Sequence, residues 1–216
     1  ELELRRGGLP RATVARAVAV AEEVARLGPG DPAALMALSK AHWQRGKLEI
    51  MAGGDGREAL TAAARHARAV AALLPASSDA QNQLGLVLLE QANVAAAAGE
   101  DPSALAEEGA RAFERAGALS PGDPAYLVNM GILHEIVLGW QLATGQGNAQ
   151  LAAAAATAAL ERALSVNPRH PWALRSLGLV RLKQAEAAFQ SGREGDPELI
   201  VGARGSLEAA LAVNSA

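Results

Sequence analysis

Three short runs of residues could carry chemistry, and each fails at a specific position. His134-Glu135 begins like the helical zinc-protease pair, but the fifth residue is Leu138 rather than a second histidine. Gly46-Lys47 lacks the upstream glycine and the following hydroxyl of a phosphate loop. Gly145-Gln146-Gly147 follows a helical pattern instead of a strand, so it reads as a turn rather than a dinucleotide fingerprint. Ser39, Ser77 and Ser78 have no base placed by spacing. Glu22-Glu23 and Glu107-Glu108 are neighbours on helices and point in different directions, which suits solvated charge and not an acid/base dyad. His42, His66, His134 and His170 are far apart, so they read as surface or interhelix histidines. The chain is expected to be non-enzymatic, with no cofactor and no metal.

The elements that position these residues follow from composition. Of 216 residues, 50% are hydrophobic, yet only 3% are aromatic. Alanine makes up about a quarter of the chain. It loses no side-chain entropy in a helix and lets helix backbones approach closely. β-branched and aromatic residues are sparse, so strands are poorly supported. The expected fold is all-α. The net charge of −3 carries no basic excess, which argues against a nucleic-acid partner. Cysteine is absent, which excludes disulfides and suits a reducing, cytoplasmic setting. No apolar run reaches the length of a membrane span; the most apolar stretch, 132–142, is broken by Glu135 and Gly139. No signal peptide is visible. The chain starts at Glu1 and not at methionine, so it is read as a piece of a longer protein.

A repeat organises the whole sequence. Pro29, Pro75, Pro121 and Pro168 close similar segments at spacings of 46, 46 and 47 residues. A fifth copy, Ala210 to Asn214, reaches Ser215 where the next proline would fall. In the same phase come Leu38-Ser39, Leu84-Gly85, Met130-Gly131 and Leu177-Gly178, each a large apolar residue beside a small one. Asp31-Pro32, Asp123-Pro124, Asp101-Pro102 and Asp196-Pro197 are N-cap and first-position pairs. His170-Pro171 is a poorer cap, Ser78 or Asp79 is expected to cap the second copy, and Asp55 with Glu58 resembles a capping box. These signals predict nine helices over 10–27, 32–52, 56–74, 79–98, 102–119, 124–144, 149–166, 171–191 and 197–213. The units run 1–29 (a half unit), 30–75, 76–121, 122–168 and 169–216, all in one repeat domain.

The unit resembles the tetratricopeptide repeat, in a long variant. The resemblance rests on Leu84-Gly85 and Leu177-Gly178 in first helices. In second helices it rests on Gly109, Phe113, Ala116 and Pro121, on Ala156, Leu160, Ala163 and Pro168, and on Ala203, Leu207 and Ala210. It covers essentially the whole chain. The family's unit has 34 residues; here Gly85 to Gly109 spans 24 where the family has 12, which lengthens each helix by roughly one and a half turns. A HEAT-like repeat, with its period of about 40–47, is the rival. The resemblance implies an α-solenoid, a right-handed superhelix of antiparallel helix pairs. Units of this length look like the repeat tails of large bacterial signalling proteins, including serine/threonine kinases.

In this family the first helix of each pair lines a concave face that holds a protein or peptide. Carried over by phase, that lining is Met36, Lys40, Trp43 and Gln44; Asn82, Gln83, Leu86, Glu90 and Asn93; Val128, Asn129, Ile132 and Glu135; and Trp172, Arg175, Ser176, Leu179 and Lys183. Its amides can both donate to and accept from a peptide backbone, and Trp43, Leu86 and Ile132 offer apolar anchors. Trp43 and Trp172 read equally well as fillers between helices. The carboxylate-gripping pattern of the family is not matched, since only Lys40, Asn129 and Arg175 come near it. Two other readings remain open. Uncapped ends carrying Leu207 and Leu211 suit homodimerisation, and the array suits a regulatory arm of a larger signalling protein.

Overall fold

A computed structural model describes residues 11–190 and 197–214. Among these residues every regular element is an α-helix, and there are nine: α1 (Arg11–Leu27), α2 (Pro32–Met51), α3 (Arg57–Leu73), α4 (Ser78–Ala97), α5 (Ser103–Leu119), α6 (Ala125–Thr144), α7 (Ala149–Val166), α8 (Pro171–Gln190) and α9 (Pro197–Asn214). Each agrees with its expected range to within a few residues. Consecutive helices pack together along the chain, most extensively within the pairs α2–α3, α4–α5, α6–α7 and α8–α9. The fold is an α-solenoid.

The helix starts follow the polar residues before them. Asp31 accepts from the Ala33 and Ala34 N–H groups, both at 3.3 Å. Asp101 accepts from Ser103 N–H and Asp123 from Ala125 N–H, both at 2.9 Å. Asn148 caps α7 through Leu151 N–H, and the weaker His170 takes Ala173 N–H at 3.4 Å. Four expected caps are corrected. The N-cap positions of α5 and α6 belong to Pro102 and Pro124, so Asp101 and Asp123 stand one residue earlier and accept from N–H groups two residues on. Ser77, not Ser78 or Asp79, caps α4, accepting from Ala80 N–H at 3.2 Å. Asp55 bonds Arg57 N–H two residues on at 2.7 Å, and the N-cap position belongs to Gly56, so there is no Asp55–Glu58 box. The Asp196 cap and the fifth proline position, Ser215, lie outside the described residues.

Helix type follows from surroundings. The second helices α3, α5 and α7 bury one apolar stripe: Ala59, Ala63, Ala67 and Val70 on α3, for example. The first helix α4 lies between α3 and α5 and also meets its counterparts α2 and α6, so it buries residues around much of its circumference.

The small residue of each first helix sets the closeness within a pair. A Cβ on Gly85 would lie 2.6 Å from the Phe113 ring; on Gly131, 2.5 Å from Leu160; on Gly178, 2.7 Å from Leu207. Only hydrogen fits beneath these side chains. The first pair reverses the sizes, with Ser39 at the glycine position and Ala67 at the large one, both fully buried. Leu207 is therefore committed to the interior of its pair and half-buried, which corrects its expected place on an open end. Leu211 is exposed as expected.

Candidate partner-binding face

The first helices meet one another in succession, α2 with α4, α4 with α6 and α6 with α8. Among the described residues successive second helices do not approach as closely through their backbones; the Arg68–Glu108 pair reaches across from α3 to α5. The array therefore closes up on the first-helix side and opens on the other. That places the residues carried over by phase on one continuous series of four helices.

Polar links tie these helices together. Gln83, only 3% exposed, donates its side-chain N–H to Ser39 Oγ at 3.1 Å. Its amide is thus used between α4 and α2. Lys47 lies 3.6 Å from Glu90, and its ammonium sits 4.6 Å over the Trp43 ring. Lys183 lies 3.2 Å from the Glu135 carboxylate and also donates to the Glu135 carbonyl at 3.3 Å. Glu90, Glu135 and Lys183 are thus ion-paired across the seams between units. Lys47 was not in the expected lining; its signal was its place four residues after Trp43, on the same helix face.

The remaining lining residues separate by exposure. Trp43, half-buried, packs against Ala63, Ala64, Leu84 and their neighbours, and its indole nitrogen is buried without a partner. Val128 and Ser176 are buried, and the Ser176 hydroxyl has no partner. Leu86 and Ile132 lie half-buried against the main core. Met36, Gln44, Asn82, Asn129 and Leu179 are half-buried, while Lys40, Asn93 and Arg175 are exposed. Trp172 is 59% exposed, with the Arg175 guanidinium 5.8 Å from its ring. It fills no gap between helices.

Charge on the second helices also bridges units. Arg57 grips Glu100 with bonds of 2.8 and 2.9 Å, and Arg68 grips Glu108 at 2.7 and 2.8 Å. These hydrogen bonds hold both carboxyls below the usual carboxylate value. The His42 and His66 rings stack between α2 and α3 at 5.8 Å, and burial lowers the pKa of both. Among the described residues no group of three or more potential ligands could hold a metal ion. No described helix is long and apolar enough to cross a membrane.

No protein-family model matches the sequence, and neither does any curated protein. The fold is similar to solved structures of MamA. One shares 17% identity at a TM-score of 0.56, covering 92% of this chain and 86% of the other. A second shares 16% identity at a TM-score of 0.58, covering 99% and 86%. At this identity the likeness establishes the architecture alone, a tetratricopeptide-like helical repeat.

Proposed function

We propose that the chain is a non-enzymatic scaffold that holds an extended or helical segment of a protein partner along α2, α4, α6 and α8. The observation that carries this is the unbroken succession of first helices. Stacked units present one long surface that a single segment can follow. Asn82 and Asn129 supply amides, Leu86 and Ile132 supply apolar footing, and Trp172 with Arg175 supplies an exposed ring and cation at one end. Because Glu90, Glu135, Lys47 and Lys183 neutralise one another across the seams, the middle of the face favours a segment of low net charge. The reading as a long-unit variant of the repeat rests on helices of 17 to 20 residues in units of 46 or 47. The whole span then forms one repeat domain, as in the arms of larger bacterial signalling proteins.

The test is capture of a partner with this chain and with a variant carrying Trp43→Ala, Asn82→Ala, Asn129→Ala and Arg175→Ala, after matching their helical circular dichroism. Loss of the partner only in the variant supports the face. Equal retention places the contact elsewhere and sinks this reading.

A second reading is self-association. Its support is the exposed apolar side chains of the terminal helices: Val20 and Val24 on α1, Ile200 (56%) and Val201 (69%) on α9. Sedimentation over a hundredfold range of concentration tests it: a mass that stays monomeric throughout removes it.

A further inference from the structure

The repeat register places Leu48, Val94, Trp140 and Ala187 at one equivalent site, near the end of the first helix in each of the four units. In the third unit the site is filled. Trp140 is 6% exposed, and its indole N–H donates to the Gly99 carbonyl, in the loop of the preceding unit, at 3.1 Å. The ring thus closes the seam between units two and three. Around the same register, Ala92, Pro102 and Ala106 of the preceding unit are buried.

One seam later the ring is missing. Ala187 stands where the indole was, and a groove of about 610 Å³ lies there, walled by Leu138, Leu142, Ala149, Ala153, Gln184 and Leu199 among others. Leu138, Ala149 and Ala153 are the register equivalents of Ala92, Pro102 and Ala106. Buried Pro102 thus corresponds to half-buried Ala149. Gly145, with φ 70°, corresponds to Gly99, with φ 78°, but the helix ends differ: Gly145 N–H bonds the Gln141 carbonyl, whereas Glu100 N–H closes the α4 end on the Ala95 carbonyl. At the second unit's seam, where the residue is Val94, the groove is about 130 Å³. Groove size does not follow the side chain alone, since a groove of about 400 Å³ lies beside Leu48. Of the three later seams, the one holding tryptophan is closed by the buried ring, and the one holding alanine has a larger groove than the one holding valine. The volume beside Ala187 falls within the roughly 300–1,000 Å³ range of small-ligand sites.

We propose that the groove beside Ala187 is a docking pocket for an aromatic side chain, tryptophan foremost, presented by a protein partner. The guest takes the place that Trp140 holds one unit earlier and continues that interface. Half-buried Leu142 and Leu199 receive the ring faces. The mouth carries Asn148, Gln150 and Gln184, amides that suit the peptide backbone on either side of the anchor. A rigid aromatic ring gains burial at low entropic cost, which is why such rings dominate anchored interfaces.

The probe is N-acetyl-tryptophanamide, titrated into the intact chain and followed by backbone amide shifts, with N-acetyl-glycinamide as control. The expected result is saturable shifts confined to 138–153, 184–188 and the neighbourhood of Leu199, seen with the indole probe alone. Ala187→Trp restores the built-in plug; it raises the melting temperature and weakens binding by about tenfold or more. If Ala187→Trp lowers helical content, Leu142→Lys on the groove wall gives the same loss of binding. The proposal is overturned by no saturable shift, by shifts that map elsewhere, or by undiminished binding in a folded groove variant. A groove already filled by the chain itself gives the first of these.

Discussion

Gly85 on α4 lies directly beneath the ring of Phe113 on α5: a Cβ there would come within 2.6 Å of the ring. The helix pair is as close as it is because that position carries hydrogen.

Gly85→Ala tests this balance. Alanine gains about 1 kcal/mol of helix propensity, but overpacking a fully buried, rigid ring costs about 1–3 kcal/mol. The overpacking term wins, so urea unfolding shows a net loss of stability. Gly178→Ala is milder, because half-buried Leu207 can shift where the Phe113 ring cannot, leaving a tight but lesser approach of 3.1 Å to the Ala203 carbonyl. An equal or larger loss at Gly178 contradicts the argument.

The Gln83–Ser39 bond joins the first two complete units inside a buried seam. Ser39→Ala leaves the Gln83 N–H without a partner, at about 1–3 kcal/mol. Adding Gln83→Leu removes the stranded group and recovers much of that loss. A double variant as unstable as the sum of the singles shows the bond to be incidental.

Trp140 closes the seam between units two and three. Trp140→Ala is expected to cost about 3–5 kcal/mol, with amide exchange fastest around Gly99 and the start of α5. Trp140→Phe keeps a six-membered aromatic ring but drops the N–H bond and part of the ring volume, so it costs less than Trp140→Ala, about 1–3 kcal/mol. Similar losses for both variants imply that the ring contributes little.

Acid destabilises the array in two windows. Burial, aided by Arg65, holds His42 and His66 below the ordinary value of 6.5. Burial alone does so for His134. As pH falls, the unfolded chain binds these protons first, so the stability present above about 6.5 is lost below it. The Glu108 contribution is present above the ordinary carboxylate value of 4.5 and is lost only as pH drops further. Melting temperature should therefore fall between pH 7 and 5, then again below 4.5. His42→Gln with His66→Gln makes the upper window shallower, with His134 still contributing; an unchanged slope there removes His42 and His66 as its cause.

The sequence by itself determined the elements and their order. Prolines 46 or 47 residues apart, aspartates before helix starts and a small residue after each Leu or Met are local features, and each acts through backbone geometry within a few residues. That is why the helix boundaries of α1 to α9 could be read from the chain. The small first-helix positions were legible too, because they recur in phase; which side chain lies over each, Phe113 over Gly85 and Leu160 over Gly131, came only with the packing. The tertiary structure decided which residues of the first helices remain open. Gln83 and Asn82 are adjacent amides, yet one is buried in the seam with Ser39 and the other is partly open. Glu90 and Glu135 read as lining of the partner face, and only the structure pairs them with Lys47 and Lys183 of neighbouring units, 43 and 48 residues away. The groove beside Ala187 was silent in the same way. An alanine in an alanine-rich helix carries no local signal. Only the packing of unit against unit shows that a tryptophan fills the equivalent space one repeat before.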